Sequence, residues 1–357
     1  MVEVESLDDF DRRLAAGARS LSGWHLHGLD LRERAEVLHD VDLGGALFLG
    51  CTLAAGEEPA VRARGAVVHP EVPDSPLDVR GSALYTPREL YDAPAYADSR
   101  DARTYAWSQR TPDRDATMAQ ALHDDAVDQA LAAWARGRSL VGVMGGHALR
   151  RGTPQYADAA RLGHALGASC VVATGGGPGA MEAANLGALF SRRPAEELGT
   201  ALDVLGRVPS YRPDVDAWVA SAFAAVDEVP DPADSLGIPT WHYGHEPSNA
   251  FASVIAKYFH NATREATLLE VCHAGIVFLP GAAGTVQEIF QDACENYYAD
   301  ESSSAPMVLV DRTHWTETLP AWPLLVSLAR GRPMEQHIHL VDTLEEATAL
   351  VGSPPPR

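Results

Sequence analysis

The chain has 357 residues, of which 46% are hydrophobic and 7% aromatic; these proportions are typical of a globular protein and exclude a disordered chain. Its formal net charge is -21, so its overall field repels nucleic-acid polymers and anionic membrane surfaces. No apolar segment is long enough to span a membrane, the N-terminus lacks a signal-peptide pattern, and the four cysteines have no CxxC spacing. We therefore expect a cytoplasmic protein.

The pattern along the chain predicts two domains. Residues 1–105 mix short apolar runs with acids, glycines and prolines, and we interpret them as a small N-terminal α+β extension of unknown role. Residues 106–357 show a regular alternation of strand and helix patterns. This second region is expected to carry the function.

The second region begins with a helix over 114–138 and a buried strand over 139–146. Further helices are predicted at 153–168, 180–190, 195–228, 247–272, 283–299, 318–331 and 343–351, and further strands at 169–174, 236–241, 274–280, 306–311 and 337–341. Such alternation is typical of an α/β fold, and we predict a Rossmann-like doubly wound parallel sheet with helices on both faces. Right-handed crossovers place the turns that follow the strands at the carboxyl edge of the sheet, where such folds bind ligands.

Three of these turns are rich in glycine: "MGGH" at 144–147, "GGGPGA" at 175–180 and "PGAAGT" at 280–285. Glycines let the backbone approach a ligand closely, and the N-terminus of the following helix attracts phosphate or carboxylate groups. We therefore predict a site for an anionic ligand. The residues that we expect to bind phosphate or nucleotide are Gly145, Gly146, Gly175, Gly176, Gly177, Gly179, Gly281, Gly284 and Thr285.

The second turn also allows a dinucleotide interpretation. Gly175 to Ala180 match G-x-G-x-x-A, and Glu196 or Glu197 lies at about the spacing of a ribose contact. This alternative would make the chain an NAD(P)-dependent oxidoreductase. A P-loop NTPase is excluded because the chain has no GxxxxGK[ST] sequence.

Glu288 has two interpretations that the sequence leaves open. Thr285 to Glu288 have the pattern T-x-x-E of a capping box, in which the glutamate bonds back to the helix N-terminus. An acid beside a phosphate site is also a candidate for catalysis. Arg264 is likewise either a surface or salt-bridged arginine or a functional one.

The segment "WHYGHEPSN" at 241–249 contains histidines and a glutamate without the spacing of a metal-binding helix, so we predict no metal site there. Trp241 and Tyr243 can stack on a nucleobase or simply pack against their neighbours.

Several motifs resemble the LONELY GUY family of cytokinin-activating phosphoribohydrolases and their bacterial relatives. "PGAAGTVQE" at 280–288 is similar to the family's PGGxGTxxE signature, and "TRE" at 263–265 to its upstream ERK-type segment. "GGGPGAMEAAN" at 175–185 resembles its GGGxxGLMGxxA turn, and "TPQYADAARLGHALG" at 153–167 the helix that precedes this turn. The resemblance extends from about 139 to 311 with order and spacing intact.

The resemblance implies a homodimer that hydrolyses the N-glycosidic bond of nucleoside 5'-monophosphates to free base and ribose 5-phosphate, without a cofactor. It places the family's catalytic arginine on Arg264 and its glutamate on Glu288, and the phosphate on Gly281, Gly284 and Thr285. For the mechanism, we expect a carboxylate that stabilises positive charge on the ribose. A neighbouring guanidinium would lower the pKa of Glu288, which favours this electrostatic role over that of a general acid.

The chain also departs from the family's pattern. Ala282 replaces the second glycine of the signature, Glu265 replaces the lysine after the family's arginine, and the first turn has "GGH" where short members have a GSS-like sequence. These departures keep open a catalytically silent nucleotide sensor on the same fold. A lysine decarboxylase, the label often given to such relatives, is rejected because Lys257 is the only lysine and we place it in an amphipathic helix.

Overall fold

The computed structural model describes residues 2–69, 76, 83–111, 113–242, 246–300 and 304–352. Two units are distinguished: the smaller consists of Met1–Ser82 and Ala106–Ala126, and the larger of Ala83–Tyr105 and Val127–Arg357. This division differs from the boundary expected after residue 105. The difference arises because residues 83–105 pack within the larger unit, where the backbone of Tyr85 pairs with Ile255.

The smaller unit contains a four-stranded sheet in the order β1-β2-β3-β4, and all of its strand pairs are parallel. Its strands are β1 (Val2–Val4), β2 (Trp24–His27), β3 (Leu47–Leu49) and β4 (Val67–His69). Val4, Leu26, Phe48 and Val68 lie on one face and form the centre of its hydrophobic core. Parallel strands joined through helices make this unit α/β, whereas the sequence led us to expect α+β.

The larger unit contains a seven-stranded, fully parallel sheet in the order β11-β10-β9-β5-β6-β7-β8. Its strands are β5 (Leu140–Met144), β6 (Val171–Thr174), β7 (Ser235–Gly237), β8 (Val254–Ile255), β9 (Ile276–Phe278), β10 (Met307–Val310) and β11 (Ile338–Val341).

The α-helices of the described residues are numbered in chain order. They are α1 (Leu7–Ala15), α2 (Ala35–Asp40), α3 (Glu58–Ala63), α4 (Pro87–Leu90), α5 (Arg100–Ser108), α6 (Arg114–Ala135), α7 (Pro154–Gly167), α8 (Ala180–Leu189), α9 (Ala195–Leu205), α10 (Val215–Val226), α11 (Asn261–Glu270), α12 (Ala283–Tyr298), α13 (Ala321–Ala329) and α14 (Leu344–Leu350). Short 3-10 turns occur at Arg32–Arg34, Tyr96–Asp98 and Pro333–Gln336, and a π-helical turn at His314–Thr318.

Helices cover both faces of the larger sheet. Alternate residues of β5 belong to two different cores, with Val141 and Val143 in one and Leu140 and Met144 in the other. The first core includes residues of α7, α8 and α9, and the second includes residues of α11, α12 and α13. The prediction of a doubly wound parallel sheet is confirmed.

The prediction of a helix over 247–272 is wrong for the first half of this segment. Residues 254–255 form strand β8, which pairs with β7, and the helix begins only at Asn261. Residues 247–252 and 255–259 are buried almost continuously, without the alternation of buried and exposed residues expected of an amphipathic helix. Lys257 therefore follows a strand and does not lie on an amphipathic helix.

The order of the strands reverses beside β5. From β5 the chain adds β6, β7 and β8 on one side, and then adds β9, β10 and β11 on the other. The pair β5 and β9 therefore marks a topological switch point. Open parallel sheets bind ligands outside the carboxyl ends of the strands at such a point. The three glycine-rich turns follow β9, β5 and β6, which are neighbours at this point.

Candidate functional site

The three glycine-rich turns are hydrogen-bonded to one another. The N–H of Gly146 donates to the carbonyl of Pro280 (3.2 Å), which joins the first turn to the third. The N–H of Ala180 donates to the carbonyl of Gly146 (3.1 Å), which joins the second turn to the first. The structure therefore brings together the three turns in which the sequence placed its phosphate-binding residues.

The second turn requires glycine at two positions. Gly176 and Gly179 have φ angles of +69° and +79°, a region that residues with side chains rarely adopt. A Cβ on Gly179 would lie 2.5 Å from the carbonyl oxygen of Gly146. Gly179 is therefore what permits the close contact between the first two turns.

Two buried asparagines, Asn249 and Asn185, form hydrogen bonds that hold the second turn in place. Asn249 donates its backbone N–H to the carbonyl of Gly176 (2.9 Å) and its Nδ2 to the carbonyl of Gly177 (3.3 Å). The same Nδ2 donates to Oδ1 of Asn185, which also accepts from Thr174 Oγ1. We did not single out these polar residues from the sequence, although Asn185 lies inside the quoted motif on α8, where Glu182 is the only other polar or charged side chain.

The third turn leads directly into α12, whose N-terminus is open. Ala282 caps the helix without a side-chain hydrogen bond, and the first turn contains no acid. The N–H groups of Ala283, Gly284 and Thr285 precede the first i to i−4 bond, from Val286 to Ala282, and so have no acceptor within the helix. An uncapped terminus of a 16-residue helix is suited to an anion.

Glu288 does not form the capping box that its spacing suggested. The helix begins at Ala283, so that Thr285 and Glu288 are its third and sixth residues instead of the cap and its partner. The side chain of Glu288 is buried, with 8% exposed, and its carboxyl group has no hydrogen-bond or ion-pair partner within the described part of the chain. The capping interpretation is wrong, because the helix begins at Ala283, two residues before Thr285, with Ala282 as its cap residue.

Burial raises the pKa of Glu288 to about 7. The Arg264 guanidinium opposes this shift, while Glu265 adds to it. The expected lowering by arginine is thus present but outweighed by desolvation. One turn further along α12, burial also raises the pKa of Asp292 well above its usual range. Because its pKa is about 7, Glu288 can exchange protons with a ligand or water near neutral pH.

Arg264 is buried near the start of α11, which excludes the interpretation as a surface arginine. Its Nε donates to the carbonyl of Ile238 (2.7 Å) and its Nη2 to the carbonyl of Gly175 (3.1 Å). Its Nη1 lies 2.9 Å from the carboxylate of Glu265. Arg264 thereby fixes the start of the second glycine turn and places a positive charge close to Glu288.

A cavity of about 520 Å³ opens beside the first two turns. Among its lining residues are His147, Gly179, Tyr211 and Trp218, together with Glu182 on α8. The carboxylate of Glu182 is buried and paired with Arg151, whose guanidinium also lies over the Trp218 ring. The described lining does not include Glu288 or the third turn, so this cavity adjoins the first two glycine turns and does not contain Glu288.

The remaining sequence-based candidates lie elsewhere. Trp241 is buried, stacks on Phe259 with ring centres 4.6 Å apart and donates its Nε1 to Asp101, so it packs within the protein. Tyr243 and His245 lie outside the described residues.

The acids proposed for ribose recognition do not lie at the end of β7, the strand next to the one that precedes the second turn. Glu196 and Glu197 lie on α9, and the carboxylate of Glu197 pairs with Arg193. In the dinucleotide fold the acid follows the next strand, whereas β7 is followed here by Ile238. This arrangement gives the dinucleotide alternative no support.

Comparisons with known proteins give matches of structure only. No family model matches the chain, and neither does any curated protein. The molybdenum cofactor binding protein from the phototrophic bacterium Rippkaea orientalis is 18% identical over 60% of this chain and 96% of its own, with a TM-score of 0.35. The molybdenum cofactor carrier protein from Chlamydomonas reinhardtii is 17% identical over 59% and 94%, with a TM-score of 0.34. Similarity at this level is no basis for assigning an activity. Within the part of the chain that is described, no helix is long and apolar enough to cross a membrane.

Proposed function

We propose that the protein hydrolyses the N-glycosidic bond of nucleoside 5'-monophosphates to give free base and ribose 5-phosphate. The observation that carries the proposal is the buried, unpaired carboxyl group of Glu288, whose pKa is about 7. It lies one helical turn beyond Thr285, at an open helix N-terminus where three glycine turns meet. Phosphate binding and acid–base chemistry are thereby combined within one helix.

In this mechanism the N–H groups of residues 283–285 bind the 5'-phosphate and so fix the position of the ribose. Positive charge develops on the ribose as the bond to the base breaks. The ionised form of Glu288 stabilises this charge and accepts a proton from the attacking water, whose oxygen bonds to the ribose carbon; the proton then passes to the nitrogen of the departing base, and Glu288 returns to its ionised form. Arg264 acts as a positioning residue for the second turn, and its charge keeps the pKa of Glu288 from rising further.

The proposal includes a homodimer, as the resemblance implies, and requires neither a cofactor nor a metal in the reaction. The substrate is a small anion, so the net charge of -21 does not oppose its binding once the helix N-terminus supplies a local positive field.

A nucleotide-binding protein without catalysis is the second candidate, and one observation favours it. All three guanidinium nitrogens of Arg264 already have partners, namely Ile238, Gly175 and Glu265. An arginine held in this way is less free to bind a substrate phosphate or a leaving base. Such a protein would bind nucleoside monophosphates and release no base.

The purified protein should be incubated with a panel of nucleoside 5'-monophosphates, and free base and ribose 5-phosphate quantified by chromatography. We expect release by the wild type, a loss of at least about a hundredfold in Glu288→Gln, and retained nucleotide binding in that variant. Glu295→Gln, a partly exposed glutamate two turns further along α12, serves as a matched control and should retain activity. Light scattering on the same sample distinguishes one from two chains of 38.1 kDa.

Binding without release by the wild type would favour the non-catalytic candidate. Equal turnover in the wild type and Glu288→Gln would refute the role given to Glu288.

A further inference from the structure

We propose that Glu3, His25 and His27 in the smaller unit form a binding site for a divalent transition-metal cation of the zinc class. From the sequence we weighed histidines as metal ligands only in the segment at 241–249, where we predicted no metal site. The strands at the beginning of the chain bring three ligating side chains together.

The register of β1 and β2 places the three side chains on one face of the sheet. Glu3 pairs with His25, and His27 follows two residues later on the same strand. Side chains at i and i+2 of a strand point to the same face, and paired residues on neighbouring strands share that face. The opposite face, with Val4 and Leu26, belongs to the hydrophobic core.

The ligating atoms converge on one point. His25 Nδ1 lies 3.2 Å from Glu3 Oε1, and His27 Nε2 lies 2.6 Å from Glu3 Oε2. One ligating atom from each residue can be chosen so that all lie within 4.8 Å of one another. Around a tetrahedral zinc ion with bonds of about 2.0–2.2 Å, ligand atoms lie roughly 3.3 Å apart, so small side-chain rotations would suffice.

The donor set determines the class of cation. Two imidazoles and one carboxylate suit zinc and its neighbours in the transition series, with water completing the coordination. Magnesium and calcium prefer sites composed of oxygen atoms.

The burial of the three side chains also fits a site that opens to solvent. His27 is 7% exposed, His25 22% and Glu3 44%, so the group extends from the interior towards the surface. Nδ1 of His27 is buried without a hydrogen-bond partner among the described residues, which leaves Nε2 as the ring atom through which His27 acts. The competing explanation is a pair of glutamate–histidine contacts that bind no metal.

The test uses the full chain, freed of metal with a chelator and titrated with Zn²⁺ by calorimetry. We expect one Zn²⁺ per chain with affinity at least tenfold weaker in Glu3→Gln and in His25→Gln. His39→Gln is the matched control, because His39 contacts Glu57 at 2.7 Å but belongs to no group of three ligands among the described residues. Its affinity should equal that of the wild type.

Two further measurements guard against misfolded variants and binding elsewhere. Co²⁺ should give a visible spectrum without thiolate bands, which excludes the exposed Cys294 as a ligand. In the wild type, Zn²⁺ should slow amide hydrogen exchange in β1 and β2. No saturable binding of one equivalent, affinity unchanged in both variants, or unchanged exchange in these strands would each overturn the proposal.

Discussion

Glu288 is buried, with 8% of the residue exposed, and has no partner among the described residues; both features bear on the stability of the protein. An unpaired carboxyl group costs little in the protonated form and much more when it is ionised in the interior. Buried carboxyl groups with shifted pKa values are common in catalytic sites, because the reaction requires a group that titrates near the working pH. The pH dependence of stability can therefore report on this one residue.

We expect Glu288→Gln to be more stable than the wild type at pH 8 but not at pH 5. Burial raises the pKa of Glu288 from its ordinary 4.5 to about 7. Between these values the folded state holds a proton that the unfolded state has lost, so the stability of the wild type falls as pH rises through this range. The shift corresponds to about 3 kcal/mol. Glutamine has no such titration.

The measurement is the melting temperature of both proteins at the two pH values. Glu197→Gln is a suitable control because its carboxylate is on the surface, paired with Arg193, and has a lowered pKa. The same difference between Glu288→Gln and the wild type at both pH values would contradict the raised pKa.

At the level of elements, the glycine turns have distinct tasks. Gly179 allows two turns to touch, whereas Gly284 lies in the first turn of α12, where an added Cβ would meet no atom within 4 Å. The first glycine is required by the fold. The second leaves room for a ligand at the helix N-terminus.

Gly179→Ala should therefore destabilise the protein, whereas Gly284→Ala should not. The positive φ of Gly179 costs about 1–3 kcal/mol for a residue with a side chain, and the contact with the Gly146 carbonyl adds to this. Alanine at position 284 should maintain or raise the melting temperature by improving the helix, yet weaken nucleotide binding several-fold by obstructing the N–H groups. Denaturant unfolding and nucleotide titration test both statements. A Gly179→Ala variant as stable as the wild type would be inconsistent with the packing of these turns.

At the level of the whole molecule, residues 83–105 belong to the larger unit although residues 106–126 separate them from its remainder. Lys257 Nζ lies 2.5 Å from Asp101 Oδ1 and 2.9 Å from Ser248 Oγ, and all three residues are buried. The hydroxyl of Tyr91 donates to the carbonyl of Ser248. Ser248 precedes Asn249, which holds the second glycine turn, so this segment is connected to the candidate site.

Breaking the Lys257–Asp101 pair on one side should destabilise the protein strongly. Lys257→Met leaves a buried carboxylate without its cation, which typically costs about 3–5 kcal/mol. The double variant Lys257→Met with Asp101→Asn should regain most of that stability, because it leaves no buried charge. Calorimetric unfolding of the wild type, the single variant and the double variant tests this. If the double variant were no more stable than Lys257→Met alone, the unpaired buried carboxylate would not be the cause of the lost stability.

The sequence by itself determined the class of the larger fold and the identity of its glycine turns. Strand and helix periodicities are local properties, and a cluster of glycines directly after a strand is visible in the sequence, so both can be recognised without tertiary contacts. It could not determine that Thr285 and Glu288 fail to form a capping box, because the start of α12 depends on how the third turn bonds to its neighbours. Nor could it show that residues 247–260 form no helix, since a continuously buried non-helical segment and a buried helix are both apolar.

The candidate site divides in the same way. The motifs located Arg264, Glu288 and the turn residues, but burial, partners and the pKa of Glu288 are properties of packing. The face shared by Glu3, His25 and His27 was partly visible in the His-x-His spacing of β2, because alternation fixes which side chains share a face. Only the parallel pairing of β1 with β2 brings Glu3 beside them, since hydrogen bonds between strands distant in sequence decide which side chains meet.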